Sequence, residues 1–215
     1  MISENKIYNN LSAYYDKIYH LKDYKKESKA VHEIVKKHKK SKGNKLLELG
    51  CGTGKHLQYL SSYYDCMGTD LSEGILDEAK KKNKEIMFQK LDMVSFNLNQ
   101  KYDIIISLFS SIGYVKTRSN LKKTIENISR HLEKGGICII EGWFSKGEFR
   151  DKSVHLHTYE DENLKIARTC YSRKKGAVSE LNFHFSIADR KRGIVTFSDK
   201  HELGLFEKYY VENLM

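Results

Sequence analysis

A glycine-rich turn separates two runs of regular structure early in the chain. An apolar run over residues 45–49 ends at Gly50-Cys51-Gly52-Thr53-Gly54, and a helical pattern follows over residues 56–63. Glycines let the backbone approach a ligand closely, and the first turn of the following helix offers free N–H groups and a positive dipole end. The turn therefore predicts a strand–turn–helix unit that holds a ligand against the N-terminus of the helix.

Strands and helices alternate through residue 144. Strands are predicted at 45–49, 65–70, 86–89, 102–109 and 137–140, and helices at 25–40, 56–63, 72–79 and 119–132. Such alternation is typical of a doubly wound α/β sheet, in which helices cover both faces of parallel strands. We therefore predict a Rossmann-like fold for this part of the chain.

The periodicity changes after Phe144. Apolar and polar residues alternate over residues 181–187, and weaker runs of the same kind occupy 164–171 and 194–197. A period of two is typical of half-buried antiparallel strands. We predict a small antiparallel β insertion over residues 150–200, acting as a substrate lid or a dimer face, and a closing helix over 202–214. The predicted domains are this insertion and a Rossmann-like domain made of residues 1–149 and 201–215.

Charge and cysteine content narrow the classes of function. The 38 basic and 28 acidic residues give a net charge of +10, which attracts anions such as nucleotides, nucleic acids or phosphorylated metabolites. The four cysteines share no CxxC spacing, so neither a metal site nor a disulfide framework is predicted. The sequence has no apolar stretch of membrane-spanning length and no signal-peptide pattern at its start. We therefore predict a cytoplasmic protein without a membrane partner.

Two acidic residues follow the second and third predicted strands. Asp70 ends the second strand, where a carboxylate is well placed to accept hydrogen bonds from ribose hydroxyls. Asp92 follows the third strand and can bond an adenine amino group, with Met93 packing on the ring. Together with the glycine turn, these residues predict a nucleoside-containing ligand.

With these residues the sequence resembles the class I S-adenosylmethionine-dependent methyltransferases. The segment Glu48-Leu49-Gly50-Cys51-Gly52-Thr53-Gly54, the acid Asp70 and the segment Leu91-Asp92-Met93 match that family's cofactor motifs. The resemblance implies S-adenosylmethionine as the cofactor, with Cys51 as a small turn residue rather than a nucleophile. The implied cofactor-binding residues are Tyr15, Tyr24, Glu48, Gly50, Cys51, Gly52, Gly54, Asp70, Leu71, Asp92, Met93 and Phe109.

Further segments resemble the nucleotide-sugar N,N-dimethyltransferases, which finish amino sugars such as desosamine and mycaminose. They are Ala13-Tyr14-Tyr15-Asp16, Lys22-Asp23-Tyr24, Phe109-Ser110-Ser111-Ile112-Gly113-Tyr114 and Glu141-Gly142-Trp143-Phe144. Those enzymes carry Glu-Pro-Trp-Trp-Phe in place of the last segment. Their final two strands have no counterpart after Met215, so we expect either a fragment or a sheet that is completed in another way.

Methylation of an amine needs a free lone pair on nitrogen and an environment that tolerates the growing positive charge. Three candidate catalytic residues could orient the amine: Tyr15, Tyr114 and Glu141. The candidate substrate contacts are Trp143, Phe144, Arg168, His184 and His201. The resemblance implies that Arg168 and His201 meet a diphosphate, for which an arginine fork is well suited.

We therefore predict an S-adenosylmethionine-dependent methyltransferase that N-methylates an amino group of a nucleotide-linked sugar or a similar small metabolite. A homodimer is a further expectation. The net charge also permits an RNA methyltransferase, although the sequence shows no appended RNA-binding module and no Asn/Asp-Pro-Pro-Tyr signature after the fourth strand. The third alternative is a regulatory protein that binds S-adenosylmethionine without transferring its methyl group.

Overall fold

The structure is a computed structural model that describes residues 6–8 and 11–215, and it contains two β-sheets. The first sheet consists of β1 (Lys45–Leu49), β2 (Asp65–Asp70), β3 (Met87–Lys90), β4 (Tyr102–Ser107) and β5 (Leu132–Ile140). Its strands are parallel and follow the order β3-β2-β1-β4-β5. The predicted doubly wound sheet is confirmed, and in the described part of the chain it has five strands.

Helices cover both faces of this sheet. They are α1 (Tyr15–Ile18), α2 (Tyr24–His38), α3 (Lys55–Leu60), α4 (Glu73–Lys82), α5 (Arg118–His131) and α6 (Lys208–Glu212), with 3₁₀ turns at Lys6–Tyr8, Ser12–Tyr14 and Ser111–Val115. Val35 and Leu57 pack on one face of the sheet, and Leu121 and Ile128 pack on the other. Among the described helices none is long and apolar enough to cross a membrane.

The second sheet is antiparallel and comprises β6 (Ser153–Glu160), β7 (Leu164–Lys175), β8 (Val178–Asp189) and β9 (Gly193–Gly204), in that order. It confirms the predicted antiparallel insertion but has a fourth strand, β6, that the alternation did not indicate. The helix predicted over residues 202–214 is wrong at its start. Residues 202–204 continue β9, because Glu202 and Leu203 pair with Glu180 and Ser179 of β8 and Leu203 is buried.

The N-terminal segment lies between the two sheets. Ile7 and Tyr15 belong to the same apolar cluster as Ile166, Phe185 and Phe197 on the inner face of the second sheet. β9 also packs against the turn Ser111–Val115 that follows β4. The inner face of the second sheet is thereby set over the carboxyl ends of the parallel strands, where ligands bind in doubly wound folds. The division into two domains stays a prediction.

Candidate active site

One cavity of about 1020 Å³ brings most of the predicted site residues together. It lies between the carboxyl ends of the parallel strands and the inner face of the antiparallel sheet. The predicted residues that line it are Tyr15, Tyr24, Glu48, Gly50, Cys51, Gly52, Asp70, Leu71, Asp92, Met93, Phe109, Tyr114, Trp143, Phe144, Arg168 and His201. Gly54, Glu141 and His184 are not among the lining residues.

The glycine turn is packed tightly against the loop that follows β4. Gly50 has a φ of 75°, and a Cβ at this position would lie 2.6 Å from the Cβ of Ser111. The Ser111 hydroxyl also donates to the carbonyl oxygen of Gly50 at 3.0 Å. Gly54, the residue before α3, is required for another reason. A Cβ at this position would lie 2.9 Å from the Phe88 ring of β3. Gly54 therefore shapes the turn from outside the cavity lining.

Asp70 closes the same turn from the end of β2. Its Oδ2 accepts a hydrogen bond from the backbone N–H of Gly52 at 3.0 Å, and its Oδ1 accepts one from that of Ser72 at 3.0 Å. Burial raises the pKa of this carboxyl. Since each carboxylate oxygen can accept two hydrogen bonds, Asp70 can still accept from a pair of ribose hydroxyls.

Glu48 and His56 form a buried pair at the back of the cavity. His56 Nδ1 lies 3.2 Å from Glu48 Oε1, and His56 Nε2 lies 2.9 Å from Glu27 Oε2. Burial alone would lower the pKa of His56, but the two carboxylates outweigh it and raise this pKa. Glu48 Oε2 has no hydrogen-bond partner among the described residues. This orphaned oxygen, the glycine cradle and Asp70 fit the amino-acid and ribose ends of S-adenosylmethionine.

A row of hydrogen-bonding side chains lines the wall opposite the glycine turn. The hydroxyls of Tyr8 and Tyr114 lie 2.8 Å apart, and the Tyr114 hydroxyl lies 2.6 Å from His201 Nδ1. His201 Nε2 lies 3.2 Å from Asp199 Oδ2, a charge contact whose atoms are not aligned as a hydrogen bond. Burial raises the pKa of both tyrosines. The sequence analysis missed Tyr8 and Asp199, although Phe197, Asp199 and His201 alternate in the way that places them on one face of a strand.

Arg168 is buried on the inner face of β7, where the strand register aligns it with His157 of β6. Its guanidinium carbon lies 5.0 Å from the ring centre of Tyr19 and 5.2 Å from that of Phe183. Its Nε has no hydrogen-bond partner in the described part of the chain. Burial and the Arg168 charge both lower the pKa of His157. This end of the cavity therefore carries a fixed positive charge with an unused donor.

Glu141 supports the cavity indirectly. Its Oε2 accepts a hydrogen bond from the backbone N–H of Phe109 at 2.7 Å. Phe109 and the following Ser110 have φ values of 51° and 60°, so two successive residues with side chains hold a left-handed conformation. Such strain persists only where neighbouring groups fix it. Glu141 thus holds the turn after β4 rather than facing the cavity.

His184 lies on the outer face of the second sheet. It is exposed, and its Nδ1 lies 3.1 Å from the hydroxyl of Ser198. Because side chains alternate along a strand, Phe183 lines the cavity and His184 points away from it. The predicted substrate contact by His184 is therefore corrected. No group of three or more His, Cys, Asp or Glu side chains within the described residues is arranged to hold a metal ion.

Comparison with known sequences identifies related proteins. A family model described as a methyltransferase domain matches residues 46–136. The dTDP-3-amino-3,4,6-trideoxy-alpha-D-glucopyranose N,N-dimethyltransferase of Streptomyces venezuelae is 32% identical over 188 residues, which cover 87% of this chain and 79% of that protein. The dTDP-3-amino-3,6-dideoxy-alpha-D-glucopyranose N,N-dimethyltransferase of Streptomyces fradiae is 28% identical over 192 residues, covering 89% and 75% of the two chains.

Solved structures agree with these relatives. The crystal structure of DesVI from Streptomyces venezuelae superposes with a TM-score of 0.88 at 30% identity and covers 94% of this chain and 87% of that one. The sugar N-methyltransferase KedS8 of Streptoalloteichus sp. gives a TM-score of 0.85 at 30% identity, with coverage of 93% and 81%. S-Adenosylmethionine is accordingly the cofactor of this enzyme. The chain belongs to the S-adenosylmethionine-dependent methyltransferase family that includes the dTDP-amino-sugar N,N-dimethyltransferases.

Proposed function

We propose that this enzyme N-methylates the amino group of a sugar linked to a nucleoside diphosphate. The observation that carries the proposal is one continuous cavity with three different regions. The glycine turn and Asp70 line the cofactor end, Arg168 lines the far end, and the hydroxyls of Tyr8 and Tyr114 lie on the wall between them. The two curated relatives described above are named for activity on dTDP-linked amino sugars.

The aromatic wall suits an amine acceptor. The rings of Tyr8 and Tyr15 lie 5.7 Å apart between centres, and those of Tyr15 and Tyr19 lie 4.8 Å apart. Aromatic faces stabilise the positive charge that grows on the attacking nitrogen, and they keep water away from it. When bound, S-adenosylmethionine supplies the electrophilic methyl carbon. The aromatic side chains would then hold the acceptor nitrogen about 3–3.5 Å from that methyl carbon, with its lone pair in line for attack.

Arg168 is the proposed contact for the diphosphate. A buried guanidinium stacked on Tyr19 and Phe183 is held in one orientation, and its planar donors match phosphate oxygens. Arg150 and Lys152 line the same cavity. Their positive charge favours an acceptor that carries phosphate groups over the free amino sugar.

Methyl transfer to defined acceptors tests the proposal. The enzyme and S-adenosylmethionine are incubated with a dTDP-linked amino sugar, with the analogue that carries a hydroxyl in place of the amine, and with an RNA transcript. Mass spectrometry then shows which acceptor gains methyl groups and how many. We expect methylation of the amino sugar nucleotide alone. Methylation of the RNA alone would support the alternative function, and no turnover with any acceptor would contradict the proposed substrate.

The diphosphate contact has its own variant pair. Arg168→Met is expected to raise KM for the amino sugar nucleotide by at least tenfold, since a hydrogen bond to a charged group contributes about 1.5–3 kcal/mol. Arg190→Met, at an exposed position after β8, serves as the matched control and is expected to leave KM unchanged. Equal KM values for the two variants would remove Arg168 from the substrate site.

A further inference from the structure

Tyr114 is connected to a buried carboxylate through His201. The Tyr114 hydroxyl lies 2.6 Å from His201 Nδ1, and the other ring nitrogen, Nε2, lies 3.2 Å from Asp199 Oδ2. Nδ1 is occupied by Tyr114, and Nε2 is buried beside Asp199 without the alignment of a hydrogen bond, so neither nitrogen is exposed to meet a diphosphate. Asp199 Oδ2 also accepts a hydrogen bond from the backbone N–H of Ile7 at 3.0 Å, which fixes the carboxylate in place.

The charges of this group indicate which way a proton can move. Burial opposes the charge on Asp199, but its contacts with His201 and the Ile7 N–H outweigh burial and lower its pKa. A carboxylate beside Nε2 favours the tautomer that carries its proton there, because the positive end of the N–H dipole then lies near the negative charge. In that tautomer Nδ1 has a free lone pair and accepts the proton of the Tyr114 hydroxyl. The three groups have the roles found in a catalytic triad: Tyr114 supplies a hydroxyl, His201 can take its proton, and Asp199 orients the imidazole.

We propose that Tyr114, His201 and Asp199 form a proton relay that deprotonates the ammonium group of the acceptor before methyl transfer. The inference rests on the proposed function, because only an amine acceptor brings a proton that must leave before attack. Tyr114 is the catalytic residue of the relay because its hydroxyl lines the cavity. His201 and Asp199 act through it.

The proton movements balance without another reactant. An N–H bond of the acceptor breaks and an O–H bond forms on Tyr114, while the original O–H bond of Tyr114 breaks and an N–H bond forms at His201 Nδ1. The positive charge of the resulting imidazolium is stabilised by the carboxylate of Asp199, which lies 3.2 Å from Nε2 and stays ionised. The neutral amine retains the electron pair that it uses to attack the methyl carbon. Burial raises the pKa of the Tyr114 hydroxyl, so Tyr114 passes a proton on rather than existing as a free tyrosinate.

Few other titratable groups face the relay. The Tyr8 ring lies 5.3 Å from the His201 ring between centres, and its hydroxyl lies 2.8 Å from that of Tyr114. The remaining neighbour that stacks on the imidazole, Phe183, does not titrate. Asp70 and Tyr19 influence Tyr114 electrostatically from the cofactor side. Tyr8 is thus the second hydroxyl able to contact the amine and share its proton with Tyr114.

Imidazole ¹⁵N NMR tests the relay without measuring turnover. The whole protein is labelled at histidine and saturated with S-adenosylhomocysteine, and His201→Gln identifies the signals of His201. We expect neutral His201 to carry its proton on Nε2 at neutral pH, and Tyr114→Phe to move the Nδ1 resonance. A proton on Nδ1 instead would mean that His201 donates to Tyr114. A His201 that is fully protonated at neutral pH would have no lone pair to offer. Either result would overturn the relay.

The pH dependence of turnover separates the relay from a packing role. With the amino sugar nucleotide as acceptor, His201→Gln and Tyr114→Phe are expected to lower kcat by about 10²-fold at neutral pH, the size of a lost general-base contribution. Above the pKa of the acceptor amine, where the substrate is already deprotonated, the loss should shrink to a few-fold. A loss of the same size at every pH, or no loss, would contradict the relay.

Two controls keep these results apart from misfolding and from a wrong acceptor. His38→Gln, at the exposed end of α2, should keep the kinetics and the melting temperature of the wild type. If His201→Gln does not fold, Tyr114→Phe alone provides the pH profile, since it removes only the hydroxyl. If the wild type methylates no amine, the proposed function is wrong, whereas the NMR result still decides whether His201 can accept a proton from Tyr114.

Discussion

At the scale of single residues, His56 pairs with two carboxylates at the cofactor end of the cavity. His56 lies between the carboxylates of Glu48 and Glu27, so each ring nitrogen faces an acceptor. These contacts are ion pairs, and stabilise the fold as such, only while the His56 imidazole is protonated. The same contacts hold Glu48 in place at the cavity wall, which links the stability of the fold to the geometry of the cofactor site.

The stability of the fold should therefore depend on pH through His56. Because the folded-state pKa of His56 is raised above the usual value of about 6.5, its stabilising contribution is fully present below that value and is lost as the pH rises through the folded-state pKa. Chemical denaturation of the wild type and of His56→Gln should show a stability difference that is larger at about pH 6 than at about pH 9. His38→Gln, at an exposed position at the end of α2, is the matched control for the substitution itself. A constant difference would contradict the assignment.

Asp70 gives a second prediction for a single residue. Removing its carboxylate in Asp70→Ala should weaken S-adenosylmethionine binding by about 1.5–3 kcal/mol, or roughly tenfold to more than a hundredfold in Kd. Asp70→Asn retains one acceptor oxygen and should give an intermediate loss. Isothermal titration calorimetry measures both, with Asp77→Ala on the exposed side of α4 as the control. Unchanged affinity in a folded Asp70→Ala protein would remove Asp70 from the cofactor site.

At the scale of elements, the sequence predicted the parallel sheet well and the antiparallel sheet only in part. The central strands β1, β2 and β4 are buried along most of their length, so continuous runs without polar alternation mark them in the sequence. β6 gives a misleading pattern, because His155 and His157 face the cavity while Val154 and Leu156 are exposed on the outer face. Alternation alone cannot tell which face is buried, so the strand was not recognised.

The end of β9 and the wall of the cavity were missed for related reasons. The closing helix was predicted across residues 202–204 because local pattern does not report the pairing with β8, which supplies the hydrogen bonds. The strand predicted over residues 194–197 also ended too early to include Asp199 and His201, so their common face was not recognised. Tyr8 belongs to no periodic element at all. Its position beside Tyr114 arises from packing between residues far apart in the chain, which a single sequence does not encode locally.

The turn after β4 gives a prediction at the scale of an element. Glu141 accepts from the backbone N–H of Phe109, where two successive residues have positive φ. Glu141→Ala should relax this turn and lower kcat more than it weakens cofactor binding, because Tyr114 follows directly. Glu141→Gln, which keeps an acceptor oxygen, should retain most of the activity. Steady-state kinetics measure kcat, and calorimetry measures cofactor binding. Equal losses of kcat in Glu141→Ala and Glu141→Gln would indicate that the negative charge itself is needed.

At the scale of the whole molecule, the second sheet has two different faces. Its inner face closes the cavity with Arg168, Phe183 and His201. Its outer face leaves neighbouring apolar side chains in solvent, with Val154 76%, Leu156 64% and Tyr171 43% exposed. Exposed apolar residues grouped on one sheet are typical of an interaction surface, and β6 also lies at an edge of the sheet. The expected homodimer would use this outer face.

We therefore predict that the protein is a homodimer in solution and that Leu156→Glu converts it to a monomer. A charge placed in an apolar interface loses its hydration without gaining a partner. The resulting free-energy cost weakens the association of the two copies. Multi-angle light scattering after size-exclusion chromatography measures the mass directly. Leu21→Glu, at an exposed leucine outside the second sheet, is the matched control and should leave the dimer intact. A wild type that elutes as a monomer would contradict the prediction. A dimer that survives Leu156→Glu would show that another surface of the molecule forms the contact.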